Sequence, residues 1–125
     1  MIVDTNALSA VVDQAPGITE ALDRAQQAAI PVIVLGEYRF GIAQLRRRDA
    51  QERWLLASLP AYIVLEVDFT TTQFYAEIRL ELKRAGKPIP SNDLWIAALS
   101  RQHRMPILSR DRHFDAVPGI RRVTW

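Results

Sequence analysis

The sequence predicts an α/β domain with a mainly parallel sheet. Short apolar stretches rich in β-branched residues recur at Met1–Val3, Ile30–Val34, Ile63–Val67, Pro106–Ser109 and Ile120–Thr124. Longer segments with apolar residues at helical spacing lie between them. Strands that alternate with helices in this way form crossover units, in which helices cover a parallel sheet. A chain of 125 residues is long enough for one hydrophobic core, so residues 1–125 are expected to form a single domain.

Met1–Val3 is a brief apolar run that stops at Asp4, as a buried strand would. Asp4, Thr5 and Asn6 are turn-favouring residues. After Pro16-Gly17, the Ala-, Leu- and Gln-rich stretch from about Ile18 to Ala29 reads as a helix. Ile30–Val34 is β-branched apart from Pro31 and reads as the second strand. Leu35, Tyr38, Ile42 and Leu45 then recur at helical spacing, with Glu37 near the start of that helix. Trp54, Leu55 and Leu59 mark a helix over Ala50–Leu59, closed by Pro60. After the strand Ile63–Val67, Thr70–Thr72 can cap a helix in which Tyr75, Ile78 and Leu82 share a face and which Gly86 ends. Lys87–Pro90 is a breaker loop, and Ser91 or Asn92 caps the next helix with Asp93 in its first turn. Pro106–Ser109 and Ile120–Thr124 close the chain as strands.

The composition, 49% hydrophobic and 24% charged, is that of a globular protein and excludes a disordered chain. No apolar stretch reaches the roughly 20 residues a membrane span needs. The N-terminus carries Asp4 and no basic region, unlike a signal peptide. Cysteine is absent, so disulfides and thiolate metal sites are excluded, and a cytoplasmic location is expected. The net charge of +2 is small, but arginine clusters at Arg46–Arg48 and again at Arg101, Arg104, Arg110, Arg112, Arg121 and Arg122. A basic surface beside an acidic pocket suits a polyanionic substrate. For Arg46–Arg48 alone, a solvated helix face is the favoured reading.

Four acids fall where a parallel sheet places ligands, beyond the carboxyl ends of its strands. Asp4 follows the first strand, Glu37 the second and Asp111 the fourth, while Asp93 sits at a helix N-terminus. Mg²⁺ is a hard cation that prefers such oxygen donors, whereas His and Cys select softer metals. Four carboxylates brought together repel one another, and a divalent cation removes that penalty. The chemistry such a site suits is hydrolysis at phosphorus by a metal-activated water. Each acid also has an ordinary role, in a turn for Asp4 and Asp111 or near a helix dipole for Glu37 and Asp93.

Four segments resemble the motifs of PIN-domain ribonucleases, in the order and spacing of the VapC toxins, across essentially the whole chain. They are Met1–Asn6, Val34–Ile42, Asn92–Ala98 and Leu108–Phe114. The resemblance implies a three-layer fold with a parallel five-stranded sheet between helices. It also implies a Mg²⁺- or Mn²⁺-dependent endoribonuclease, a homodimer and a cognate VapB-like antitoxin that blocks the site. By motif position Asp4, Glu37, Asp93 and Asp111 would be the catalytic, metal-binding carboxylates. Thr5 and Asn6 would support Asp4, and Ser109, standing where relatives often have Thr, would hydrogen-bond a carboxylate or a water.

The last motif departs from the common pattern, with His113 before Phe114 where relatives carry an acid and the next acid, Asp115, after it. A fifth acidic ligand is thereby in doubt. Packing at the rim is favoured for His113 over contact with phosphate. Trp54, Trp95 and Trp125 are expected in the core or an interface rather than stacked on bases. The competing functions are an RNA-processing PIN nuclease without an antitoxin, an inactive PIN interaction module and a Mg²⁺-dependent phosphatase. Retention of all four acids speaks against the inactive module, and the five scattered glycines form no phosphate-cradling loop for the phosphatase.

Overall fold

A computed structural model describes residues 1–125. Five short strands, β1 (Ile2–Val3), β2 (Ala29–Pro31), β3 (Ile63–Leu65), β4 (Ile107–Leu108) and β5 (Arg122–Val123), form one sheet in the order β3-β2-β1-β4-β5. Every pairing is parallel, with Ile2 in register with both Ala29 and Ile107. The chain runs outward from β1 through β2 to β3, then crosses back to β4 and β5 on the other side. The reversal creates a switch point between β1 and β4, where a parallel sheet opens a crevice at its carboxyl edge.

Six helices cover the sheet: α1 (Thr5–Val12), α2 (Ile18–Asp23), α3 (Val32–Ala43), α4 (Arg48–Ser58), α5 (Phe69–Ala85) and α6 (Ser91–His103). Ile2, Val3, Ile107 and Leu108 are fully buried between the helical layers and belong to a cluster of 26 buried apolar residues. Helix α6 lies deep, burying Leu94, Ile96, Ala97, Ala98 and Leu99 on more than one side. Its many small side chains let the sheet and α5 approach closely.

Several boundaries differ from the sequence expectation, each for a tertiary reason. Helix α1 starts directly after Asp4 and buries Ala7, Leu8 and Ala10, although Thr5 and Asn6 favour turns. Helix α2 ends at Asp23 rather than near Ala29, because the Ala29 N–H is taken by the Met1 carbonyl at 2.8 Å as β2 joins the sheet. Strand β2 ends at Pro31, and Val32, Ile33 and Val34 open α3 instead of extending the strand. Burial of Val34, Tyr38 and Ile42 overrides the weak helix propensity of β-branched residues there. Glu37 consequently sits in the second turn of α3, and Leu45 lies beyond its end.

The caps also fall elsewhere than expected. Asp68, not Thr70–Thr72, starts α5: its carboxylate accepts the Thr71 N–H at 2.9 Å while the Thr71 hydroxyl accepts the Asp68 N–H at 3.0 Å. Gly86 ends the helix at φ 67°, the left-handed conformation that glycine adopts without a Cβ clash. Pro90 precedes α6, and neither Ser91 nor Asn92 caps it; both are the first residues of the helix.

Candidate active site

Asp4 directly follows β1 and is buried, with 5% of the residue exposed. Two donors hold it. The Ser109 hydroxyl, just past β4, donates to Asp4 Oδ2 at 2.7 Å, and the Asn6 amide donates to the same oxygen at 2.8 Å. Asn6 also donates to Ser109 Oγ at 3.0 Å and accepts the Arg110 N–H at 3.0 Å. Ser109 Oγ in turn accepts the Asp111 N–H at 2.9 Å. This network closes the switch point, tying the end of β1 to the segment after β4.

Asp93, in the first turn of α6, and Asp111 face each other across His113. The His113 Nδ1 lies 2.9 Å from Asp93 Oδ2 and 3.1 Å from Asp111 Oδ1. Asp111 Oδ1 also accepts the His113 backbone N–H at 2.9 Å, which starts the 3₁₀ turn Arg112–Ala116. Fully buried Phe114 anchors that turn in the core. One ligand atom from each of Asp93, Asp111 and His113 lies within 4.8 Å of the others.

Burial drives the Asp4 carboxyl above the ordinary range; the Ser109 hydrogen bond opposes this, and the charge of Asp111 adds to it. Burial likewise raises Asp93, against the His113 hydrogen bond, and the charges of Asp111 and Asp4 push the same way. Asp111 therefore lies close enough to place a like charge beside both Asp4 and Asp93. His113 is raised above its usual value by its hydrogen bond to Asp93, which outweighs the opposing desolvation, with the charges of Asp111 and Asp93 adding to the rise.

The remaining expected residues are placed differently. Glu37 is joined to the group through Thr5, whose hydroxyl donates to Glu37 Oε1 at 3.2 Å. The Thr5 backbone N–H favours the ionised form of Asp4, so Thr5 serves both acids. Asp115 points away from the group, held by Arg122 in a two-pronged ion pair at 2.8 and 2.9 Å. That pair holds its carboxyl below the usual range. His113 is half-exposed on the acids rather than packed at the rim. Sequence reading underrated it because the Asp111-to-His113 spacing leaves open whether the ring turns toward the carboxylates.

The arginines are dispersed as well. Arg101 is spent on Glu81 and Arg122 on Asp115. Arg110 lies 4.4 Å over the Trp125 ring and donates to the Trp125 carbonyl at 3.2 Å. Trp54 and Trp125 pack against the core, and Trp95 stacks on Tyr75 with centroids 4.0 Å apart.

The donor set fits a hard divalent cation, being rich in carboxylate oxygens whose mutual repulsion a cation relieves, with one imidazole nitrogen within reach. The class the fold and site define is a parallel α/β domain with carboxylates clustered at its switch point. A family comparison makes the class specific: the PIN domain model matches residues 1–120, and the chain belongs to the PIN-domain family. Ribonuclease VapC5 of Mycobacterium tuberculosis is 31% identical over 113 residues, 84% of each chain. Toxin FitB of Neisseria gonorrhoeae is 29% identical over 121 residues, covering 89% of this chain and 87% of its own. Among solved structures, FitAcB from Neisseria gonorrhoeae superposes with a TM-score of 0.85 at 28% identity, over 97% of this chain and 94% of that one. VapBC2 from Rickettsia felis, bound to a DNA fragment from its promoter, reaches 0.87 at 23% identity over 99% and 97%, a likeness of fold.

Proposed function

We propose that this chain is a divalent-metal-dependent endoribonuclease, the toxin of a VapBC-type pair, acting in the cytoplasm on cellular RNA. The observation that carries the reading is the convergence of Asp4, Asp93 and Asp111 at the switch point of a PIN-family sheet, where the charge of Asp111 acts on both Asp4 and Asp93. The ribonuclease and toxin names of the relatives support the substrate and the biological role. The oxygen-rich donors favour Mg²⁺, and the His113 nitrogen makes Mn²⁺ an acceptable substitute.

Asp4, Asp93 and Asp111 would hold the ion, with Glu37 reaching it from α3. A bound divalent ion supplies positive charge beside the scissile phosphate and an acidified water. The chain's own residues do the rest. Ser109 and Asn6 both donate to one oxygen of Asp4 and so fix the orientation of its carboxylate. His113, in contact with Asp93 and Asp111, would in its protonated form offset part of their mutual repulsion. Thr5 orients Glu37.

A protein partner is supported by exposed apolar side chains beside the centre. Phe40, 72% exposed, lines with Glu37, Thr5 and Asn92 an open depression of about 560 Å³. The antitoxin is proposed to cover it. Phe69, 92% exposed at the start of α5, is a candidate contact for the proposed homodimer. No helix is long and apolar enough to cross a membrane.

The direct test is RNA cleavage by Asp4→Asn and Asp93→Asn. Each variant is expected to lose cleavage and any growth arrest on expression while keeping its circular-dichroism spectrum. EDTA should stop the wild type, and Mg²⁺ or Mn²⁺ should restore it. Cleavage by both variants at the wild-type rate, or cleavage indifferent to EDTA, refutes the site.

A further inference from the structure

A second charged feature lies at the opposite pole of the sheet. The acidic centre is built from residues that follow strands, whereas Arg24, Gln26 and Gln27 precede β2, His103 and Arg104 precede β4, and Arg121 precedes β5. In an all-parallel sheet these residues share the amino edge. There they line one cleft of about 640 Å³, within the size range of small-ligand sites. Arg104 and Arg121 also line the adjoining hollow of about 460 Å³, which Arg101 borders.

The charge there is uncompensated. Arg24, Arg104 and Arg121 take part in none of the ion pairs of the chain, and no Asp or Glu lines the cleft. Asp23 neighbours Arg24 in sequence but does not line it. Three permanently charged guanidinium groups beside two carboxamides present forked N–H donors with no competing carboxylate, an arrangement that matches phosphate oxygens.

The backbone at Arg104 adds an independent observation. Arg104 closes α6 at φ 55°, in the left-handed region where glycine or asparagine is the ordinary choice. An arginine there carries local strain, and its charge is used by no partner within the chain.

We propose that this cleft is a phosphate-binding site, remote from the carboxylates, which takes the phosphodiester backbone of RNA or a free polyphosphate. The site stands independently of the nuclease reading, since binding is measured without metal and without cleavage. In EDTA, inorganic tripolyphosphate and a short single-stranded oligoribonucleotide are titrated separately into the full chain by calorimetry or fluorescence anisotropy.

Arg24→Glu/Arg121→Glu is expected to weaken binding about tenfold or more, as loss of charge-assisted hydrogen bonds requires. Arg104→Gly is expected to weaken it while holding or raising the melting temperature, because glycine relieves the left-handed strain. Arg84→Glu, on α5 outside the cleft, should bind like the wild type. Tighter binding of tripolyphosphate assigns a free polyphosphate. Tighter binding of the oligonucleotide assigns the RNA backbone, with the double variant reducing the slope of log affinity against log salt by about 1.4, or ~0.7 per lost contact. The proposal is overturned if neither probe binds, or if both cleft variants bind within twofold of wild type. It is also overturned if a polyglutamate peptide of equal charge competes as well as tripolyphosphate.

Discussion

Ser109→Ala removes the hydroxyl that fastens the end of β1 to the segment after β4. Ser109 is fully buried, and its Oγ donates to the Asp4 carboxylate at 2.7 Å while accepting from Asn6 and from the Asp111 backbone. A hydrogen bond to a charged group contributes about 1.5–3 kcal/mol, and the two neutral bonds are partly replaced by water, so the expected loss at pH 7 is ~2–3 kcal/mol. At this chain length each kcal/mol lowers Tm by roughly 3–5 °C, giving a fall of about 6–15 °C. The loss should depend on pH in a defined direction. Asp4 is already raised above its unfolded value, so its ionisation opposes folding; its most favourable contribution lies below the unfolded carboxyl range and is lost as pH rises through the folded value. Losing Ser109 raises Asp4 further, so the difference between variant and wild type should widen as pH rises from the acid range to neutrality. Divalent-metal affinity should fall about 10–100-fold, as for other groups that orient metal ligands. Thermal melts from pH 4 to pH 8, with and without Mg²⁺, measure both effects. A stability difference constant across that range would refute the claim that Ser109 acts through the Asp4 carboxylate.

Other expectations follow from the same geometry. The stabilising contacts of protonated His113 with Asp93 and Asp111 are fully present below about pH 6.5, the unfolded histidine value, and are lost as pH rises through its raised folded value. The rise in Tm on adding Mg²⁺ should therefore shrink as the pH falls into the range where His113 is protonated, and His113→Ala should flatten that dependence. Asp115→Asn, which breaks a pair in which the carboxylate is half-exposed, should cost about 0.5–1 kcal/mol and leave cleavage within twofold, whereas Asp111→Asn should abolish it; equal losses would place Asp115 in the centre. Phe114→Ala should destabilise by about 3–5 kcal/mol in denaturant titrations, because a fully buried ring is removed from beneath the turn that carries Asp111 and His113.

The sequence by itself determined the fold class, the approximate places of all five strands and the short set of acids from which a centre could be built. These features are local. An apolar β-branched run or a helical period is written in adjacent residues, and an acid after such a run reaches the sheet's carboxyl edge wherever the strand is paired. The tertiary structure alone decided strand order and hence which acids meet. It gave Asp4 its buried place against Ser109, 105 residues away, set His113 between Asp93 and Asp111, and left Glu37 linked through Thr5. It withdrew Asp115 into a pair with Arg122 and sent Arg104 and Arg121 to the far pole of the sheet. Sequence periodicity cannot reach these outcomes, because burial and charge pairing are through-space quantities between residues distant in the chain. A one-residue choice, such as β2 ending at Pro31 so that α3 can bury Val34, Tyr38 and Ile42, is likewise settled by packing over propensity.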